Sequence, residues 1–133
     1  PLVMAVHKGH HEVVAALIAA GATVDKANND GWTPLLMAAE KGHHEIVTAL
    51  IAARANVDLA GTHGMTPLCM AAYTGHGEVV RLLVRAGADT TLSGPNGPPI
   101  DCVCKAPSAD KANEAEIKAI LLSPPQGSFQ LPW

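Results

Sequence analysis

The chain has 133 residues, which suits one domain, and carries 48% hydrophobic but only 3% aromatic residues. With 23 alanines, the core must be aliphatic and fine-grained, which favours close-packed helices and argues against a β-sandwich. A net charge of -3 excludes a global basic field for nucleic acid or anionic lipid, three cysteines are too few for a disulfide scaffold, and the longest apolar run, Val13–Val24, is short of a membrane span and broken by Gly21.

Unpaired thiols fit a reducing compartment, cytosol or nucleus. The start on Pro1, with no initiator Met and no signal-peptide pattern, reads as a piece of a longer or processed product.

Along the chain one pattern returns every 33 residues. Gly9-His10-His11-Glu12-Val13-Val14 comes back as Gly42-His43-His44-Glu45-Ile46-Val47 and as Gly75-His76-Gly77-Glu78-Val79-Val80. Leu17, Leu50 and Leu83 share the step, as do Met4, Met37 and Met70, and Ala22, Ala55 and Ala88. Thr33-Pro34-Leu35 recurs as Thr66-Pro67-Leu68, and Pro1-Leu2 is what remains of an earlier copy. The expected units are 1–27, truncated, then 28–60, 61–93 and an irregular 94–122, followed by a Pro-rich tail, 123–133.

Each unit reads as helix, turn, helix, loop. Thr33 is an N-cap, with Pro34 at the first helical position of a short helix over Leu35–Glu40. Gly42 supplies the turn, where positive φ costs glycine nothing. His44–Ala53 follows as a longer helix, with Ile46, Val47, Leu50 and Ile51 on one face. Gly21 and Gly87 fit the residue just past a helix end, and Arg54 holds that place in the middle unit, so its closure is expected to be strained or different. Asn29-Asp30-Gly31 marks a turn between units.

In the fourth unit, Gly97-Pro98-Pro99-Ile100 matches the start with one residue deleted. An insertion, about residues 106–112, delays the last helix, which Asn113 and Glu116 are expected to open as a capping box. The tail ends Phe129-Gln130-Leu131-Pro132-Trp133; it is expected either to cover the apolar end of the fourth unit or to lie in a groove, its own or a neighbouring chain's.

This pattern resembles the ankyrin repeat: Gly-x-Thr-Pro-Leu-x-x-Ala-Ala-x-x-Gly-His, then Glu-(Ile/Val)-Val, Leu-(Ile/Val) and Gly-Ala, over roughly residues 1–122. The resemblance implies an all-α, ankyrin-repeat solenoid of about four repeats. Its loops would be β-hairpin fingers and its short first helices would line a concave face. Where the family usually has His after Thr-Pro-Leu, this chain has Val3, Leu36, Cys69 and Asp101, so apolar packing is expected at three of the four. Asp25, Asp58 and Thr91 stand where the closing turn often has Asn.

No catalytic, cofactor or metal site is expected. The first His of each pair fits the family's Gly-His step, His-Glu-x-x-His is absent, and histidines 33 residues apart are too loosely spaced for a tetrahedral site. Cys69 and Cys102 read as small buried hydrophobes.

While the frame repeats, other positions vary. The finger positions are Asn29, Asp30 and Trp32, then His63 and Met65. The ends of the first helices carry His7-Lys8, Glu40-Lys41 and Tyr73-Thr74. A fixed frame with a varied surface is what specific recognition requires. The resemblance implies that these eleven residues form a surface for a partner protein, although Trp32 and Tyr73 could instead merely cover neighbouring fingers. The expected function is non-catalytic protein binding by a monomer, with no nucleic acid or membrane partner. The alternative is a targeting or regulatory segment of a larger signalling or enzymatic protein.

Overall fold

The computed structural model describes residues 2–95, 97–106 and 111–122. The expected roles of Phe129 to Trp133 lie outside the described residues. Four helix pairs follow one another: α1 (Leu2–His7) with α2 (His11–Ala19), α3 (Pro34–Lys41) with α4 (His44–Ala52), α5 (Pro67–Thr74) with α6 (Gly77–Arg85), and α7 (Pro99–Cys102) with α8 (Glu114–Leu122). The first helices α1, α3, α5 and α7 stack in one layer, and α2, α4, α6 and α8 stack in a second. This is the all-α solenoid expected from the repeat.

Local chemistry sets the helix ends. Thr33 Oγ1 accepts the Leu36 N–H at 3.1 Å, and Thr66 Oγ1 accepts the Cys69 N–H at 3.1 Å. Each hydroxyl satisfies one of the donors that a helix start leaves open. Gly42 and Gly75 close α3 and α5 with φ of 74° and 80°, in the left-handed region that disfavours side chains. Leu36, Cys69 and Val3 are buried, so apolar packing does replace the family's histidine at these three places.

The core runs the length of the stack. Leu35, Ile46, Leu50, Leu68, Leu83 and Ile117 are its largest fully buried side chains. Truncating one such leucine to alanine costs about 2–5 kcal/mol. Ala38, Ala39, Ala71 and Ala72 are fully buried, and their small size lets the first helices approach closely. The glycine turns serve the same end. A Cβ on Gly42 would lie 2.7 Å from His76 Nδ1, and one on Gly9 would lie 3.0 Å from His43 Cε1. His76 Nε2 meets the Glu40 carbonyl at 2.9 Å, so this imidazole does bond a neighbouring unit's backbone.

A second set of bonds ties adjacent loops. Asp25 Oδ1 accepts the Asn56 N–H at 2.9 Å, and Asp58 Oδ1 accepts the Asp89 N–H at 2.8 Å. The aspartates at the family's Asn position thus act as bridges between units. At the end of this ladder, Asp89 accepts the Thr91 hydroxyl and N–H, which hold its carboxyl below the usual carboxylate range.

Three expectations are corrected or sharpened. The second and third fingers are tight turns and not β-hairpins: among the described residues no strand forms, and β pairing is limited to an isolated antiparallel bridge between Gly94 and Gly97. Asn28 N–H to the Trp32 carbonyl (2.9 Å) and Gly61 N–H to the Met65 carbonyl (3.0 Å) each close one five-residue loop, too short to build a ladder. Arg54 is strained without being differently closed. It takes φ 69° and repeats the hydrogen bonding of Gly21 and Gly87. The capping box gives way to contacts between units. Asn113 Nδ2 donates to the Gly75 carbonyl at 2.9 Å, and Glu116 Oε1 pairs with Arg81 at 3.1 Å. Cys104 N–H to Ala72 O (2.8 Å) and Ala106 N–H to Tyr73 O (3.0 Å) further dock the irregular unit.

Candidate functional site

Between the second and third fingers lies a groove of about 290 Å³, lined by Asp30, Gly31, Trp32, Leu36, His63, Met65 and Met70. Its geometry starts at Asn28. The Asn28 Oδ1 accepts the N–H groups of Asp30 (2.9 Å) and Trp32 (3.0 Å), which curls the second finger and fixes the indole's backbone. In the third finger Gly61 stands at the place of Asn28. A Cβ there would meet the Leu36 Cδ2 and, at 2.7 Å, the Gly31 carbonyl. Only a glycine lets the two finger bases approach so closely, and Gly31 and Leu36, which a Cβ here would meet, both line the groove. The wall is completed by His63, held at φ 73° in the turn Thr62–Gly64. Histidine tolerates the left-handed region better than most residues, but still at a cost.

The groove pairs two half-buried apolar side chains, Trp32 and Met65, with an exposed imidazole and an exposed carboxylate at its rim. An apolar floor with a few polar groups at the edge is suited to taking up one side chain of a partner and fixing its orientation.

The structure sorts the eleven expected site residues into separate places. Asp30, Trp32, His63 and Met65 converge on the groove. Asn29, next to Asp30 in sequence, lines a different cavity at the α1–α2 end. The helix-end residues lie at the far end of the first helices, which at eight residues for α3 is roughly 12 Å from the fingers. There His7, Lys8 and Lys41 are exposed, while Glu40, Tyr73 and Thr74 are half-buried. Lys41 Nζ lies 3.8 Å from Glu40 Oε1. Thr74 spends its hydroxyl on the Met70 carbonyl at 2.8 Å. Leu36 and Met70 belong to the groove but were not expected there. Met70 sits on the repeating methionine column and Leu36 at the place of the family's histidine, and both read as packing from sequence.

Below the fingers, the Cys69 and Cys102 thiols both face the Gly97 carbonyl, at 3.8 and 3.4 Å. Burial, and then the neighbouring Cys69, push the Cys102 thiol up to about 11. The Cys102 thiol is therefore a protonated packing group at neutral pH, and both cysteines lie in the core as expected. Among the described residues no three His, Cys, Asp or Glu side chains converge as a metal would require, and no helix is long and apolar enough to cross a membrane.

A family model described as ankyrin repeats, in three copies, matches residues 2–93. No curated protein matches the chain.

Proposed function

This chain belongs to the ankyrin-repeat family, whose members are in general protein–protein interaction modules and typically not catalysts, and from that premise we propose that it binds a partner protein through the groove between its second and third fingers. The observation that carries this reading is the convergence of Asp30, Trp32, His63 and Met65 on one apolar recess. All four stand at positions that vary between otherwise repeating units. The helix-end row of His7, Lys8, Glu40, Lys41, Tyr73 and Thr74 extends the surface and contributes selectivity. Rigid stacked helices hold these side chains in place, so little ordering entropy is lost on association. The module catalyses nothing and works in a reducing compartment, cytosol or nucleus, which three buried cysteines in no disulfide support.

The test begins with peptides selected against the 133-residue chain from a random display library. Binding is then measured to the chain and to Trp32→Ala and Met65→Ala. A buried aromatic anchor contributes about 2 kcal/mol, so Trp32→Ala should weaken binding roughly 30-fold with the helical signal unchanged. Selected peptides that bind both variants as tightly as the parent would refute the groove as the site.

A further inference from the structure

The finger groove is divided into two zones, and the division limits what can enter it. Leu36 and Met70 are 2% and 9% exposed, while Trp32 and Met65 are half-buried and pack against the core. Asp30 and His63 are exposed. Asp30 and His63 stand one 33-residue step apart, as do Trp32 and Met65, so each finger lends the recess one polar and one apolar side chain. An occupant that matches both zones has an apolar stem and a polar tip.

Charge sets the sign of that tip. Among the described residues that line the groove there is a carboxylate but no lysine or arginine. The surrounding loops, 20–33, 53–66 and 86–98, carry Asp25, Asp30, Asp58 and Asp89 against Lys26 and Arg54. Hydrogen bonds from Thr91 hold the Asp89 carboxyl below the usual range, which keeps it charged. The finger row is therefore a region of negative potential that draws in a cation and repels a carboxylate. An aliphatic side chain would fill the apolar zone but gain nothing at the rim. Long cationic side chains lay their methylene stems on apolar surface and keep the charged head toward water. Arginine suits the place better than lysine. Its planar guanidinium stacks on aromatic rings, pairs with a carboxylate through two hydrogen bonds and is more weakly hydrated. The flexible thioethers of Met65 and Met70 can adapt to the path of the stem.

On the reading that this groove is the binding site, we propose that it is an arginine pocket. It takes one arginine side chain from a segment of the partner protein, with the methylene stem against Trp32 and Met65 and the guanidinium at the Asp30 carboxylate.

The test uses two display libraries of linear peptides, identical but for a fixed central residue, arginine in one and leucine in the other. Both are selected against the 133-residue chain, and weakened binding to Trp32→Ala identifies the peptides that use the groove. These should come at least about tenfold more often from the arginine library. Replacing the arginine by citrulline, which keeps the shape and removes the charge, should weaken binding at least about fivefold. Asp30→Asn should cost the arginine peptides a similar factor and the citrulline peptides less than about twofold, so the citrulline peptides control for any disturbance of the finger. His63→Asp provides a gain-of-binding arm, because aspartate also tolerates the left-handed region. A second carboxylate there should tighten arginine binding about fivefold. If no selected peptide depends on Trp32, the groove reading falls and the arginine pocket with it. If Trp32-dependent peptides come mainly from the leucine library, or bind as well with citrulline, the groove remains the site and the arginine assignment is overturned.

Discussion

Arg54 offers the most direct measure of how the repeat stores strain. Gly21, Arg54 and Gly87 occupy equivalent places with φ of 90°, 69° and 92°. All three donate to the carbonyl three residues back, at 3.0, 2.9 and 3.0 Å, and the alanine that follows each donates five residues back at 3.0 Å. This is the Schellman closure, in which the first residue past the helix must be left-handed. An L-residue pays about 1–2 kcal/mol for that conformation. Arg54→Gly removes the cost but returns about 0.4–1 kcal/mol to the unfolded chain as flexibility. Arg54→Ala keeps the strain and removes the exposed side chain, so it is the proper reference. Relative to it, Arg54→Gly should gain about 0.5–1 kcal/mol, or roughly 2–4 °C in melting temperature for a chain of this length. Urea unfolding is the assay, with a raised midpoint and an unchanged slope as the signature. Gly87 has open space around it, so Gly87→Ala should lose about as much as Arg54→Gly gains. If Arg54→Gly is no more stable than Arg54→Ala, the strain is not there and the reasoning fails.

Three further outcomes follow from the contacts between units. Gly42→Ala should cost about 2–3 kcal/mol by urea titration, combining left-handed strain with loss of the His76–Glu40 contact, and so should exceed the cost of Gly87→Ala. Asp58→Ala should cost about 1 kcal/mol through the lost bond to the Asp89 N–H, while Asp58→Asn, which keeps an acceptor oxygen, should cost less than half of that. The third concerns alkaline pH. Folding raises the Cys102 thiol from its ordinary 9.0 to about 11, so between these values the native state keeps a proton that the unfolded chain releases. Its contribution is complete below pH 9 and is lost as pH rises to 11, about 2–3 kcal/mol in all. Cys102→Ala should be less stable at pH 8 but show a shallower decline; parallel curves for the two proteins would contradict the assignment.

What sequence alone determined here is whatever depends on a few neighbouring residues. Thr33 and Thr66 cap helices because a hydroxyl reaches an N–H three residues on, and Gly42 and Gly75 turn the chain because only glycine is free of the left-handed penalty. The leucine column at 17, 50 and 83 reveals one face of a helix, and the 33-residue step then makes one unit stand for all. The family followed from those residues. Tertiary structure decided what passes between units. The aspartates at 25 and 58 looked like departures from a turn pattern; packing puts their carboxylates on amides 31 residues further on. Asn113 and Glu116 carried a capping signature, yet the docked neighbour claims both, through Gly75 and Arg81. The eleven varied positions looked like one surface, but the length of the first helix separates the fingers from the helix ends, and only Asp30, Trp32, His63 and Met65 meet in one groove. The reason is physical. Backbone preferences act over roughly one turn and can be read residue by residue. Side-chain contacts between units depend on the offset at which whole helices stack, and that offset is set jointly by the buried alanines, by Gly42, and by Gly61 against the Gly31 carbonyl.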